Sequence, residues 1–204
     1  PVLENIPGGA EAEPFITHHN ALDLDLYLRI SLELHLKRLV VGGYEKVFEI
    51  GKVFRNEGVS TQHLQEFTMM ECYWAYADND KLMKFVQNMY QTMISETFGT
   101  LAIETHGETL NFSGDWEKLD YRTLFLEKTG IDLTKVKDAN TLIEIIKEKE
   151  IKIKIEPHAG YGRLVDQVYK KLVRPSLIQP CFLVNHPVEI SPLSKRHPSD
   201  PEIV

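Results

Sequence analysis

The segment between Arg55 and Phe67 gathers side chains whose chemistry suits a nucleotide. The Arg55 guanidinium could bind a carboxylate or a phosphate, and the Phe67 ring could stack on a base. Between them, Glu57 could accept from an exocyclic amine and His63 carries a titratable imidazole. Each residue alone is a weak signal, because structural arginines and solvated loop histidines are common. Their order along the chain is the informative feature.

Glu71 places a carboxylate in the β-rich run that follows, residues 67–76. Alternate side chains of a strand share a face, so Phe67, Glu71 and Tyr73 point one way. Arg55 continues one face of the preceding strand, and if the two faces coincide, Arg55 and Glu71 line one floor. A buried carboxylate needs a positive partner. Spacing therefore leaves open an exposed sheet face, a structural Arg–Glu pair, or a site that binds a cation.

Two antiparallel strands, 44–55 and 67–76, joined by a long loop over 56–66, would position these residues. The loop exceeds an ordinary hairpin connection, and long loops are often functional. The other face of the second strand is predicted to pack in a core. That face carries Cys72, Trp74 and Tyr76, and the Met69–Met70 pair is also assigned to the core.

The rest of the pattern mixes helices with short strands. Helical spacing predicts a helix over 78–98 that stops at Gly99. The other predicted elements are a short strand within 14–20, a strand at 24–30, a helix capped by Ser31 and ended by Gly42-Gly43, a hairpin over 100–112, helices near 121–129, 139–149 and 161–173, a strand at 179–184 and a proline-rich loop at 187–201. Antiparallel pairing among mixed elements predicts an α+β fold. The absence of a GxxxxGK[ST] or GxGxxG motif gives no support to a P-loop or Rossmann fold.

The composition is that of a globular chain, with 43% hydrophobic and 26% charged residues among 204. A formal net charge of -7 argues against tight non-specific nucleic-acid binding by this chain alone, because phosphate contacts require Lys and Arg. Cys72 and Cys181 are far apart and form no zinc motif, so two reduced thiols are expected. No apolar run approaches the roughly 18 residues of a membrane span, and no signal peptide is visible.

The order of residues around Arg55 resembles motif 2 of the class II aminoacyl-tRNA synthetases. The wording FRNEG at 54–58, followed by His63 and EFTMMECYWAYAD at 66–78, is similar to the lysine-specific branch of that family. The resemblance is dense over 1–78, loose over 79–155 and clear again near the end. The further matching stretches are IPGGAEAEPFITHHNALDLDLYLRI at 6–30, LEL at 32–34, LKRLVVGG at 36–43 and PVEISPL at 187–193.

This resemblance implies a role for each residue that matches the motif. Arg55 would be catalytic, bridging the α-phosphate of ATP and the carboxylate of the amino acid. Glu57 would accept from the adenine amino group, and His63 would lie near the phosphates. Phe67 would stack on the adenine. The implied substrate is ATP.

The lysine-binding residues implied by the resemblance are drawn from three parts of the chain. Glu33 and the backbone at Gly9 match the site for the α-ammonium group, and Arg55 contacts the carboxylate. Glu71 and Tyr73 match the side-chain pocket, where a carboxylate pairs with the ε-ammonium. The implied reaction is attack of the lysine carboxylate on the α-phosphate, which yields lysyl-adenylate and pyrophosphate. Positioning and electrostatics would dominate catalysis.

The resemblance also implies an antiparallel β-sheet flanked by helices, and a partial catalytic domain over 1–204. Within it, 79–175 forms a helical and hairpin segment and 176–204 a closing strand and loop. The anticodon-binding OB-fold is expected upstream of this chain, and motif 3 and the Mg²⁺ ligands are expected beyond Val204. No metal ligand is therefore assigned within the chain. Alone, the chain is expected to be inactive. The complete protein would be a cytoplasmic homodimer that acts on tRNA(Lys) and does not bind a membrane.

The chain departs from the family pattern at two places, and several assignments keep alternatives. Leu32 stands where the family usually has proline, and Leu64-Gln65 replaces the usual Asn-Pro. Gly8 and Gly9 could be turn glycines only, and the segment 18–20 is assigned a structural role. The competing functions are a synthetase paralogue that modifies a protein lysine, a non-catalytic binding module, and a plain α+β domain without a nucleotide site.

Overall fold

A computed structural model describes residues 1–60 and 63–204. Positions 61 and 62 of the predicted loop lie outside the described residues. The chain divides into two compact units, residues 1–79 and 80–204. Both units combine helices with small sheets, and most of the strand pairs are antiparallel, which gives an α+β fold.

The first unit contains a three-stranded sheet, one helix and a long hairpin. The antiparallel sheet has the strand order β1-β3-β2. The elements are β1 (Leu3–Glu4), β2 (Ile16–His19), β3 (Leu24–Leu28), α1 (Glu33–Val41), β4 (Lys46–Phe54) and β5 (Glu66–Trp74). The predicted strands, helix and hairpin are confirmed, whereas β1 was not predicted. The predicted cap is wrong, because Leu32 and not Ser31 is the N-cap residue of α1, and it makes no side-chain cap.

Helix α1 covers one face of the β4–β5 hairpin. Leu32 and Leu36 are buried there together with Val53, and the buried face includes Phe67, which lies opposite Val53 in the antiparallel register. Met69 and Tyr73 pack against the same cluster. The predicted alternation on β5 is therefore confirmed, and Met69 belongs to the core as expected.

The other face of the hairpin does not form the predicted core. Tyr76 is 96% exposed and Met70 is 37% exposed, while Cys72 and Trp74 are only half-buried. On β4, Phe48 is also exposed. Helix α1 covers only one face of the hairpin, so an alternating pattern buries one set of side chains and not both. The assignment of Tyr76 and Met70 to the core is wrong.

The second unit packs three helices around one apolar cluster. The cluster includes Tyr121, Phe125, Leu142, Leu164 and Val168. Its helices and strands are α2 (Asn79–Phe98, beginning at the last residue of the first unit), β6 (Ala102–Thr105), β7 (Glu108–Asn111), β8 (Glu117–Asp120), α3 (Tyr121–Thr129), α4 (Ala139–Glu148), α5 (Tyr161–Val168) and β9 (Cys181–Val184). A π-helical turn at 169–173 and 3₁₀ turns at 174–176 and 188–190 complete it.

The predicted helices and the 100–112 hairpin are confirmed, but the expectation of antiparallel pairing fails at one place. Strand β8 was not predicted, and it pairs in parallel with β9. Within the described part of the chain, no helix is both long and apolar enough to cross a membrane.

Asp120 ends β8 and caps α3. Its Oδ1 accepts the Thr123 backbone N–H at 2.9 Å, and its Oδ2 accepts the Asn185 side-chain amide at 2.8 Å. Burial raises the pKa of this carboxyl, but the hydrogen bonds from Thr123 and Asn185 outweigh burial and hold the pKa below its ordinary value. The charged form is therefore stabilised by folding, and this contribution is lost as the pH falls through the folded pKa.

We expect Asp120→Ala to lower the free energy of unfolding by about 1 kcal/mol at neutral pH, because the helix loses its cap. Urea denaturation of the purified chain measures this value. The difference from the wild type should shrink in acid. Asp120→Asn keeps a capping oxygen and serves as the matched control, so equal losses for the two variants would contradict the capping role.

Candidate active site

Arg55 lies directly beyond β4 and is held in place by contacts with three segments. Its backbone N–H donates to the Gln65 carbonyl at 2.8 Å, which extends the hairpin pairing. Its Nε donates to the Ile30 carbonyl at 3.2 Å. The guanidinium carbon lies 5.3 Å from the centre of the Phe67 ring, within cation–π range. Within residues 1–60 and 63–204, neither terminal nitrogen has a hydrogen-bond partner.

The four residues predicted to bind a nucleotide line one cleft of about 310 Å³. They are Arg55, Glu57, His63 and Phe67, and Gly58, Leu64 and Gln65 complete the lining. This volume is at the lower end for small-molecule sites. His63 is exposed, and its Nδ1 lies 2.8 Å from the Ser60 hydroxyl. The cleft thus combines a cationic wall with an aromatic ring, which suits an anionic group attached to a planar one.

Glu71 lies on the same face of the hairpin as Phe67 but does not line this cleft. Its Oε1 accepts the Ser31 hydroxyl at 2.8 Å and the Leu32 backbone N–H at 3.0 Å. Its Oε2 accepts the Tyr73 hydroxyl at 3.0 Å. Three neutral donors hold this half-buried carboxylate, and no Arg55–Glu71 ion pair forms among the described residues. Binding of a cation by Glu71 stays a prediction.

The other predicted lysine-binding residues surround the start of α1. Gly9 has a φ of 87°, and an added Cβ would lie 2.8 Å from the Glu33 Cβ and 2.9 Å from the Ser31 Oγ. The loop at Gly9 therefore packs closely against α1, beyond what a turn alone requires. Glu33 Oε1 accepts from Lys37 at 2.7 Å. Burial, the hydrogen bond to Glu71 and the charges of Glu71 and Glu33 raise the pKa of Tyr73.

Arg55 and Glu71, which were predicted to line one surface, therefore lie in two adjoining regions. Arg55 and Phe67 belong to the cleft, whereas Glu71 and Tyr73 lie further along β5 toward α1. The chain segment from Ile30 to Leu32 connects the two regions, because Ile30 contacts Arg55 and Leu32 contacts Glu71.

Sequence reasoning missed Arg29, which is 6% exposed. Its Nη1 donates to Glu49 at 2.6 Å, and its Nε donates to the Lys52 carbonyl at 2.8 Å. Glu49 lies directly opposite Glu71 in the register. Two like charges in that position are destabilising, and Arg29 neutralises one of them. The sequence signal for a buried, paired Arg29 was its position as the one charged residue in the apolar run LYLRI.

The two departures from the family pattern have visible consequences. Leu32 is buried and supplies a backbone N–H to Glu71 that a proline would lack. Leu64 and Gln65 line the cleft, and the Gln65 carbonyl accepts from Arg55. In the segment assigned a structural role, His18 lies in β2 and hydrogen-bonds Asp25 at 3.0 Å.

Magnesium would require several oxygen ligands that converge on one point. Among the described residues, no group of three His, Cys, Asp or Glu side chains could hold a metal ion. These residues do not supply a magnesium site.

Gly51 gives Arg29 room beside Glu49. An added Cβ would lie 2.2 Å from Arg29 Nη2 and 3.1 Å from Glu49 Oε1. Arg29 cannot move away easily, because it is buried and its Nε is held by Lys52. We expect Gly51→Ala to lower the free energy of unfolding by about 1–3 kcal/mol, the usual cost of overpacking.

Gly58→Ala is the matched control, because an added Cβ there meets no atom of the described residues within 4 Å. Urea denaturation should show little change for Gly58→Ala. Equal stability of the two variants would contradict the steric role of Gly51.

Comparisons with known proteins match nearly the whole chain to the same family of enzymes. A lysine–tRNA ligase of Roseiflexus castenholzii is 48% identical over 204 residues, covering all of this chain and 41% of that protein. A lysine–tRNA ligase of Pelotomaculum thermopropionicum is 45% identical, and the match covers 100% of this chain and 40% of that protein. A lysine–tRNA ligase of Staphylococcus aureus (strain MW2) is 47% identical, and the match covers 98% of this chain and 40% of that protein. The chain thus spans about two fifths of these curated relatives. The family model for tRNA synthetases class II (D, K and N) matches residues 1–203, and the chain belongs to that family.

Proposed function

We propose that this chain is the part of a lysine–tRNA ligase that binds ATP and lysine. The observation that carries the proposal is the position of Arg55. Its guanidinium faces the Phe67 ring, its terminal nitrogens have no partner among the described residues, and it lies on the hairpin face that also carries Glu71. The phosphate of a nucleotide and the carboxylate of a cationic amino acid can therefore both contact the Arg55 guanidinium.

ATP would occupy the cleft between Arg55 and Phe67. The adenine stacks on Phe67, its amino group donates to Glu57, and His63 lies near the phosphates. Support comes from the shared lining of the cleft by these four residues. The fork of Arg55 suits a phosphate oxygen, and its Nε bond to Ile30 fixes the plane of the fork.

Lysine would extend from Arg55 toward Glu71. Its carboxylate lies at Arg55, its α-ammonium at Glu33 and the Gly9 backbone, and its ε-ammonium at Glu71 and Tyr73. The segment from Ile30 to Leu32, which joins the two regions, supports this direction. An analogue without the amine leaves the remaining acceptor position of Glu71 desolvated and unpaired, which gives specificity.

The proposed reaction is attack of the lysine carboxylate on the α-phosphate, forming lysyl-adenylate and releasing pyrophosphate. Arg55 neutralises both anions as they approach and stabilises the charge that develops at phosphorus. The rest of the site orients the reactants. Mg²⁺ would reduce the phosphate charge when it is bound with ATP.

The proposed complete protein transfers the activated lysine to tRNA(Lys) as a cytoplasmic homodimer. Residues 1–204 form part of its catalytic domain, with the core built as an antiparallel sheet flanked by helices. The names and identities of the relatives support the ligase over a paralogue that modifies a protein lysine.

We expect Phe67→Ala in the complete protein to weaken ATP binding about 5- to 150-fold, because stacking on a base contributes about 1–3 kcal/mol. Phe48→Ala is the matched control, since Phe48 is exposed on the opposite face of the same hairpin. Equilibrium binding of ATP measures both. Equal effects of the two substitutions would contradict stacking at Phe67.

The complete protein should exchange pyrophosphate into ATP only when lysine is present, and should charge tRNA(Lys). Glu71→Gln should raise the lysine KM about 10- to 150-fold, because it replaces a hydrogen bond to a charged acceptor with a weaker one. Glu66→Gln is the control, since Glu66 is an exposed residue at the start of the same strand. Exchange without tRNA charging would favour the paralogue, and no lysine-dependent exchange would refute the ligase.

A further inference from the structure

The hydrogen bonds at Glu71 leave a defined part of its carboxylate available. A carboxylate offers about four acceptor positions. Ser31 and the Leu32 amide occupy those of Oε1, while Tyr73 occupies one on Oε2. Within the part of the chain that the structure describes, the open acceptor position is therefore on Oε2, next to the Tyr73 hydroxyl.

We propose that Ser31 is a positioning residue that sets specificity for an ammonium group through Glu71. The Ser31 hydroxyl and the Leu32 amide, here called the Glu71 clamp, fix the orientation of the carboxylate by holding Oε1. Tyr73 donates its only hydroxyl proton to Oε2, so its own oxygen remains an acceptor. Oε2 and the Tyr73 oxygen then form a two-acceptor seat for one ammonium. The inference rests on the proposed binding of lysine.

The Glu71 clamp is rigid because three segments hold it. Ser31 and Leu32 are 3% and 1% exposed. The Ser31 oxygen also accepts the Glu33 backbone N–H at 3.1 Å, and Gly9 packs directly against it. The serine side chain is thus fixed by the Gly9 loop, the first turn of α1 and the carboxylate itself. A rigid support of this kind is what precise positioning of a ligand group requires.

The charges around Glu71 make its seat selective for a cation. Glu49, the carboxylate opposite, already has the Arg29 guanidinium at 2.6 Å. Glu71 is held by neutral donors, which stabilise the anion without cancelling its charge. The nearby Lys37 ammonium lies 5.8 Å from the centre of the Tyr73 ring but pairs with Glu33, so among the described residues no cation is ion-paired to Glu71 itself. Of the two opposed carboxylates, Glu71 is the one prepared to bind an external positive charge.

The test compares binding of lysine and of norleucine, which has the same straight chain without the ε-amine. In the complete protein, Ser31→Ala should weaken lysine binding about tenfold, a typical effect of one hydrogen bond to a charged group. Norleucine and ATP binding should stay unchanged. Ser31→Cys keeps a similar size with a weaker donor, so its lysine affinity should fall between those of wild type and Ser31→Ala. Thr68→Ala, on the exposed face of β5, is the control.

A double-mutant cycle separates positioning from a general structural role. In the Glu71→Gln background, Ser31→Ala should change lysine affinity by less than twofold, because the serine acts through the carboxylate. Full additivity of the two substitutions would overturn the proposal, as would an unchanged ratio of lysine to norleucine affinity in both Ser31 variants. A wild-type protein that binds the two amino acids equally would refute lysine specificity itself, which is a separate failure of the proposed function.

Discussion

Glu49 and Glu71 face each other directly across the β4–β5 hairpin, and the contacts that position the candidate site depend on how this pair of like charges is stabilised. Two opposed, partly buried carboxylates on a sheet are unfavourable unless each has a compensating partner. The structure compensates them differently: Glu49 receives the buried Arg29 guanidinium, and Glu71 receives neutral donors from the start of α1. Gly51 is the opening that lets Arg29 reach its position. One carboxylate is thereby neutralised and the other keeps its charge.

The same contacts determine how α1 sits on the hairpin. Apolar packing of Leu32 and Leu36 against Val53 is non-directional and would tolerate sliding. The hydrogen bonds from Ser31 and Leu32 to Glu71 are directional, so they select one register between the helix start and β5. Because Ile30 also accepts from Arg55, that register sets the distance between the guanidinium and the carboxylate as well.

Local patterns predicted the elements of this fold but not their long-range partners. Alternation on β5, helical spacing in α2 and the glycine stops at Gly43 and Gly99 are local signals, and the structure agrees with them. The parallel pairing of β8 with β9 joins residues near 117 and 181, and the sequence near each strand carries no trace of the other. The same applies to the core prediction that placed Tyr76 inside, since alternation identifies two faces without indicating which one a helix covers.

The candidate site divides in the same way. Resemblance to a motif identified Arg55, Glu57, His63 and Phe67, and these lie around one cleft because a single hairpin carries them. Two of the donors to Glu71 come from the turn before α1, so the spacing along β5 could not predict them. A carboxylate held by a cation would be satisfied and inert, as Glu49 is. Neutral donors keep the carboxylate ordered and negatively charged, and this combination is what recognition of an ammonium group demands.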